Sequence, residues 1–158
     1  MNKIKKILFV CTANICRSPM AEVILKENLR NSGNTDISIS SAGLMDMKGG
    51  RARDEAIEII RNLGVDISHH RSRHLTDDMI KEADMIIVME ASHRDNILGK
   101  YPESSDKVFL LSRFGNEKGI ERDVADPYGA SVFYYRTAFR EISFYINGLL
   151  NFLKGLPS

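Results

Sequence analysis

The sequence predicts a single α/β domain: a four-stranded parallel sheet flanked by helices on both faces, with an anion-binding loop directly after the first strand. Three observations carry this. Short apolar runs of strand length alternate along the chain with longer segments whose apolar residues recur at helical spacing. One run, Met85-Ile86-Ile87-Val88-Met89, is apolar throughout, as expected of a strand covered on both faces. The first run, Ile7 to Val10, empties into a loop from Cys11 to Ser18 that ends where a helix begins. At 158 residues, with 43% hydrophobic and 27% charged side chains, residues 1–158 read as one domain large enough for a proper core.

The elements follow in order. Ile7-Leu8-Phe9-Val10 has the length and β-branched character of a buried strand. Ser18 is a favoured N-cap residue, Pro19 suits the first helical turn and Glu22 completes a Ser-x-x-Glu spacing. A helix is therefore expected from Pro19 to about Arg30, with Met20, Ala21, Ile24, Leu25 and Leu29 on one face. Ile37-Ser38-Ile39-Ser40 alternates as a second strand and runs into Ser41-Ala42-Gly43. Arg53 to Leu63 reads as a helix stopped by Gly64, and Val65 to His74 as an irregular, strongly basic connector. A short helix from Thr76 to Ala83 precedes the Met85 strand, and Ser92 to Leu98 follows it as another. Val108-Phe109-Leu110-Leu111 is the fourth strand. Ser112 to Gly129 is a long polar loop, a class that is usually functional. A helix from Ser131 to about Lys154 closes the chain.

Charge and cysteine usage exclude several functions. A net charge of +1 gives no global field for nucleic acid or an anionic membrane, so anion selectivity must be local. No apolar run approaches a membrane span, and the run behind the basic N-terminus is too short for a signal peptide. The expectation is a cytoplasmic protein that binds neither nucleic acid nor membrane. Two cysteines on one loop do not make a disulfide scaffold, and no Cys/His spacing matches a metal site, so no metal and no cofactor are expected.

The loop Cys11-Thr12-Ala13-Asn14-Ile15-Cys16-Arg17-Ser18 carries the chemistry. A strand that feeds a loop and then a helix N-terminus turns successive N–H groups inward over the positive end of the helix dipole, which makes an anion site. This one has a thiol at one end and a guanidinium at the other. Helix N-termini and neighbouring cations favour a thiolate over a thiol. The same features bind a phosphate dianion, Arg17 through a fork matched to two oxygens. A thiolate beneath a bound phosphoryl group is placed for in-line attack, with the amides and Arg17 holding the equatorial oxygens. Taken alone, Cys11 could equally be an inert buried cysteine; Arg17 and the helix start argue otherwise. Cys16 has three readings: loop packing, a disulfide partner for Cys11 under oxidation, or half of a metal site, with packing the default. The leaving oxygen needs an acid and the hydrolytic water a base. Asp126, aimed by Pro127 at the end of the long loop, is the best candidate, with Asp123 as competitor.

Cys11-x5-Arg17-Ser18 near the start, together with Asp126-Pro127 near the end, resembles the low-molecular-weight protein tyrosine phosphatase family over essentially the whole chain. The resemblance implies that Cys11 is the nucleophile that becomes phosphocysteine. Arg17 binds phosphate and stabilises the transition state, and Asp126 is acid for the leaving phenol and then base for water. It further implies that Ser18 hydrogen-bonds the Cys11 thiolate. Asn14 holds the loop through a network with Ser41 and a histidine: His70 in the register of Arg73-His74-Leu75-Thr76, or adjacent His69. Tyr128 becomes a wall of the pocket. The family often has two tyrosines after Asp-Pro; here the second position is Gly129. The implied partners are a phosphotyrosine-containing protein or peptide as substrate and inorganic phosphate as product and inhibitor.

Three rivals share features with this reading. Arsenate reductases of the same fold need cysteines beyond Cys11 and Cys16, which this chain does not have. The protein arginine phosphatase branch shares the Asp-Pro-aromatic-Gly ending but typically carries Thr where this loop has Ile15. Ile15 and Tyr128 favour phosphotyrosine, and Gly129 keeps the arginine branch alive. A non-catalytic phosphate or redox sensor, or a phosphocysteine carrier, would not need Asp126.

Overall fold

β1 (Lys6–Cys11) is the strand around which the molecule is built, because both of its faces are apolar and both are covered. In the computed structural model, which describes residues 3–156, successive side chains of β1 point to opposite sides of the sheet, as the two-residue pleat requires. Ile7, Phe9 and Cys11 enter one core with Met20, Leu25, Ile142 and Ile146. These partners lie on α1 (Arg17–Asn31) and α5 (Val132–Lys154). Leu8 and Val10 enter a second core with Ile80 of α3 (Asp77–Glu82) and Ile97 of α4 (Ala91–Lys100). Each such aliphatic side chain taken fully out of water contributes about 1.5–3 kcal/mol, so the two cores hold the sheet from both sides.

The sheet order is β2-β1-β3-β4, every pair parallel, with β2 (Ser38–Gly43), β3 (Met85–Val88) and β4 (Val108–Leu110). β1 therefore has β2 on one side and β3 on the other. The chain reverses its direction of travel across the sheet between them. Ligands bind at such a reversal, beyond the carboxyl ends of the strands, and Cys11 is the last residue of β1. α2 (Asp54–Arg61) completes the layer that holds α1 and α5.

The expected elements are all present, with shifts at their ends. Leu111 is not part of β4; it starts a 3-10 helix, Leu111–Gly115, so the Ser112–Gly129 stretch is partly ordered before it turns irregular. That 3-10 helix packs so closely on α5 that a Cβ built on Gly148 would collide with the Phe114 carbonyl oxygen. The largest correction concerns the start of α1. The helix begins at Arg17, the preceding residue is Cys16, and no side chain caps it. Ser18 is not the N-cap, and Glu22 does not close a capping box. Both have stronger partners elsewhere, which the site explains.

Candidate active site

Asn14 is the pivot of the loop. It is fully buried and has φ of 57°, a left-handed conformation that Asn tolerates better than most residues. Its side-chain amide donates to Ser18 Oγ at 2.8 Å and Ser41 Oγ at 2.9 Å, and its Oδ1 accepts the Arg73 N–H at 3.0 Å. The Asn14 carbonyl accepts from His70 Nε2 at 2.8 Å. His70 is half-buried, while His69 beside it is exposed, so His70 is the histidine on the loop. The irregular basic connector braces the loop through His70 and Arg73.

The donor directions in this network follow from chemistry alone. Glu22 Oε1 is an acceptor 2.5 Å from Ser41 Oγ, so the Ser41 hydroxyl donates to it and accepts from Asn14. Asn14 thereby spends both amide hydrogens on the two serines. Ser18 Oγ accepts one of them and keeps its own hydrogen for Cys11 Sγ, 2.9 Å away. The Asn14 backbone N–H also points at Cys11 Sγ, at 3.3 Å. These bonds are why Ser18 and Glu22 do not cap α1. Two donors converge on the sulfur.

Arg17 is 1% exposed. Its Nη1 donates to Glu90 Oε2 at 2.6 Å and to the Val124 carbonyl at 2.7 Å. Its Nη2 lies 3.4 Å from Thr12 Oγ1 and 3.5 Å from Asp126 Oδ2, and its buried Nε has no partner. The guanidinium's short anchors are thus both on Nη1, with the Nε/Nη2 edge, held only by the longer contacts to Thr12 and Asp126, left to fork onto two oxygens.

A cavity of about 190 Å³ opens over the sulfur, lined by Cys11, Thr12, Ala13, Ile15, Cys16, Arg17, Met45, Met47, Asp126 and Tyr128. Asn14, Ser18, Ser41 and His70 stand behind it. Asp123 is not in it: its Oδ1 caps α4 by accepting the Ala91 N–H at 2.8 Å. Between the two candidate carboxylates, only Asp126 reaches the cavity. Tyr128 is exposed, its N–H bonded to Asp126 Oδ1 at 3.1 Å and its ring 5.3 Å from the Arg53 guanidinium. Gly129 has φ of 77°, so an L-residue there would be strained although space is open around it.

Cys16 packs with Ile15, Ile59 and Tyr135. Burial pushes its thiol up to about 12, against the weaker opposing pull of the Tyr135 hydroxyl 3.6 Å away. Cys16 is therefore a thiol at neutral pH. No group of three or more His, Cys, Asp or Glu side chains among the described residues is arranged to hold a metal.

Sequence reasoning missed Glu90, His93, Met45, Met47 and Tyr135. Glu90 and His93 follow β3, the neighbour of β1, and Met45 and Met47 follow β2, so all four lie just beyond the carboxyl ends of strands that flank β1, His93 on the first turn of α4. An acidic residue directly after an apolar strand was the available signal for Glu90.

A thiol under two donors, a half-anchored arginine and a carboxylate across a small cavity define a thiol-dependent phosphohydrolase on a doubly wound sheet. The profile of the family described as low molecular weight phosphotyrosine protein phosphatase matches residues 6–156, and the chain belongs to that family. It is 37% identical over 138 residues to the probable low molecular weight protein-tyrosine-phosphatase EpsP of Ralstonia nicotianae, covering 87% of this chain and 86% of the relative. It is also 37% identical over 144 residues to a protein-arginine-phosphatase of Geobacillus stearothermophilus, covering 91% and 93%. Among solved structures, a low molecular weight protein tyrosine phosphatase of T. tengcongensis matches with TM-score 0.86 at 38% identity, covering 93% of this chain and 98% of that one.

Proposed function

We propose that the protein hydrolyses phosphotyrosine in proteins or peptides through a phosphocysteine on Cys11. The Cys11 thiolate attacks phosphorus in line, the S–P bond forms as the tyrosyl O–P bond breaks, and Asp126 gives its proton to the phenolic oxygen. Asp126 then takes a proton from water, which attacks phosphorus, breaks the S–P bond and releases inorganic phosphate. Arg17 and the N–H groups of Thr12 to Ser18 hold the equatorial oxygens in both steps. The observation that carries this reading is the convergence of Ser18 Oγ and the Asn14 N–H on Cys11 Sγ, beneath a cavity walled by Arg17 and Asp126. Ile15 and Tyr128 form an apolar wall and an aromatic wall suited to an aryl group.

The reading extends to one domain over residues 1–158, to the cytoplasm as its place, and to inorganic phosphate as inhibitor. Under peroxide, Cys11 is expected to form a disulfide with Cys16, two thiols giving one disulfide as the peroxide is reduced to water. That both cysteines line one cavity supports this.

A second reading, arginine phosphatase, is favoured by the equal identity to the Geobacillus enzyme and by Gly129. The two are separated by kcat/KM on phosphotyrosine and phosphoarginine peptides, with Ile15→Thr as partner variant. The expected result is a preference for phosphotyrosine that Ile15→Thr weakens. A preference for phosphoarginine in the unaltered protein overturns the substrate assignment.

A further inference from the structure

His93 lies on the first turn of α4 with its ring 3% exposed, and the mechanism proposed above gives it no task. Its Nε2 is 3.0 Å from Thr12 Oγ1 and 3.2 Å from Glu90 Oε2, and its Nδ1 is buried with no polar partner. These contacts decide where the proton sits. A hydrogen on Nδ1 would be buried without an acceptor, and the bare Nε2 lone pair would then face a carboxylate oxygen. A hydrogen on Nε2 has two acceptors and leaves nothing to place on Nδ1. Burial and the Arg17 cation favour the neutral ring, against Glu90, Asp123 and Asp126.

We infer that His93 is a positioning residue for oxyanion binding: as the neutral Nε2–H tautomer it ties the Glu90 carboxylate to the Thr12 hydroxyl and so fixes the edge that Arg17 presents. The two short hydrogen bonds of Arg17, to Glu90 and the Val124 carbonyl, are both on Nη1. The Glu90 side chain is a quarter exposed, so without the imidazole its carboxylate is free to turn toward water and take Nη1 with it. The buried Nε and Nη2 would then no longer face the cavity as a fork. Thr12 gains as well. With the His93 N–H and Arg17 Nη2 both directed at its oxygen, its own hydrogen turns away from them, and Thr12 lines the cavity.

This inference rests on the phosphatase reading, and the experiment separates the two because oxyanion binding needs no turnover. Inorganic phosphate is titrated calorimetrically into the unaltered protein, His93→Leu and His93→Gln, beside kcat/KM on p-nitrophenyl phosphate and the rate of Cys11 alkylation by iodoacetamide. In His93→Leu the phosphate Kd is expected to rise about tenfold and kcat/KM to fall by a similar factor, the scale of one lost hydrogen bond. Gln, whose amide N–H can take over the donation, is expected to stay within about threefold of the unaltered protein. Alkylation is expected to be unchanged in both variants, since His93 does not touch the sulfur, whereas a general loosening of the loop would move it. Imidazole nitrogen shifts of the unaltered protein at neutral pH, which need no variant to fold, are expected to show hydrogen on Nε2 and a lone pair on Nδ1. An unchanged phosphate Kd in His93→Leu, no rescue by Gln, or a hydrogen on Nδ1 overturns the inference and leaves the phosphatase reading standing. No phosphate binding by a protein that also hydrolyses nothing overturns both.

Discussion

Two loops meet at the cavity, and they are made differently. Asn14 to Ser18 is buried throughout, and Asn14 alone makes four polar contacts besides its bond to the sulfur. The segment that carries Asp126 and Tyr128 is exposed at both residues and is held at intervals, chiefly upstream of them: Glu121 on Arg94, Arg122 N–H on Ser112 Oγ, Asp123 on α4, and Val124 by its N–H on the Met89 carbonyl and its own carbonyl on Arg17. The first loop can be disturbed only at a cost to the fold, because its groups have no water to fall back on. The second can change without that cost. In the proposed mechanism anion binding and attack are thus coupled to stability, and leaving-group chemistry is not.

The comparison is tested hardest at the sulfur. Cys11→Ser is expected to cut turnover of p-nitrophenyl phosphate by about 10⁵-fold or more, the scale for loss of a catalytic nucleophile. Phosphate binding should survive. Residual turnover near the unaltered rate would rule out the thiol route.

Asp126→Ala is expected to lower kcat by about 10²–10³-fold, the range of general acid–base catalysis, with no change in the urea unfolding midpoint. The loss should shrink for substrates with better leaving groups. A loss of stability instead would mean that the exposed loop is structural after all.

Asn14→Ala should do the reverse, with about 2–4 kcal/mol of stability lost as Ser18, Ser41 and the Arg73 N–H are left unpaired, together with activity. Unfolding in urea measures it.

pH offers a gentler probe. Burial holds His70 below the usual imidazole value of 6.5. The unfolded chain therefore takes up the proton first as pH falls. The stability tied to the neutral ring is complete above about pH 6.5 and is lost as the pH drops from there through the lower folded value. His70→Gln should flatten the stability profile below about pH 6.5. The smallest effect is expected at Tyr128→Ala, a rise in KM for aryl phosphates of about threefold to tenfold from lost ring contact, at unchanged stability.

Much of this was legible in the chain. Cys11, Arg17 and Asp126 could be named because thiol, guanidinium and carboxylate stand in a strand–loop–helix context and a long loop, both written locally. The alternation of apolar runs gave the parallel sheet. The error at Ser18 and Glu22 shows where local reading stops. A capping box is the right inference from Ser-x-x-Glu, but tertiary partners outbid it: the Cys11 sulfur for Ser18 and the Ser41 hydroxyl for Glu22. Glu90, His93, Met45 and Met47 escaped because their relevance depends on strand order. Only when β3 and β2 are known to flank β1 do the residues that follow them become neighbours of Cys11.

Gly148 bears on how this enzyme could diversify. It sits in the middle of α5, where the Phe114 carbonyl occupies the place of a side chain, and the 3-10 helix it receives is the root of the segment that ends in Asp126 and Tyr128. Any substitution there must push that root outward. A single change at this point of α5, more than three turns from the Tyr135 that packs on the Cys11–Ser18 loop, would therefore act as a steering point, re-aiming Asp126 and Tyr128 while Cys11 stays where it is. Drift in substrate range within such a fold can begin on its back side.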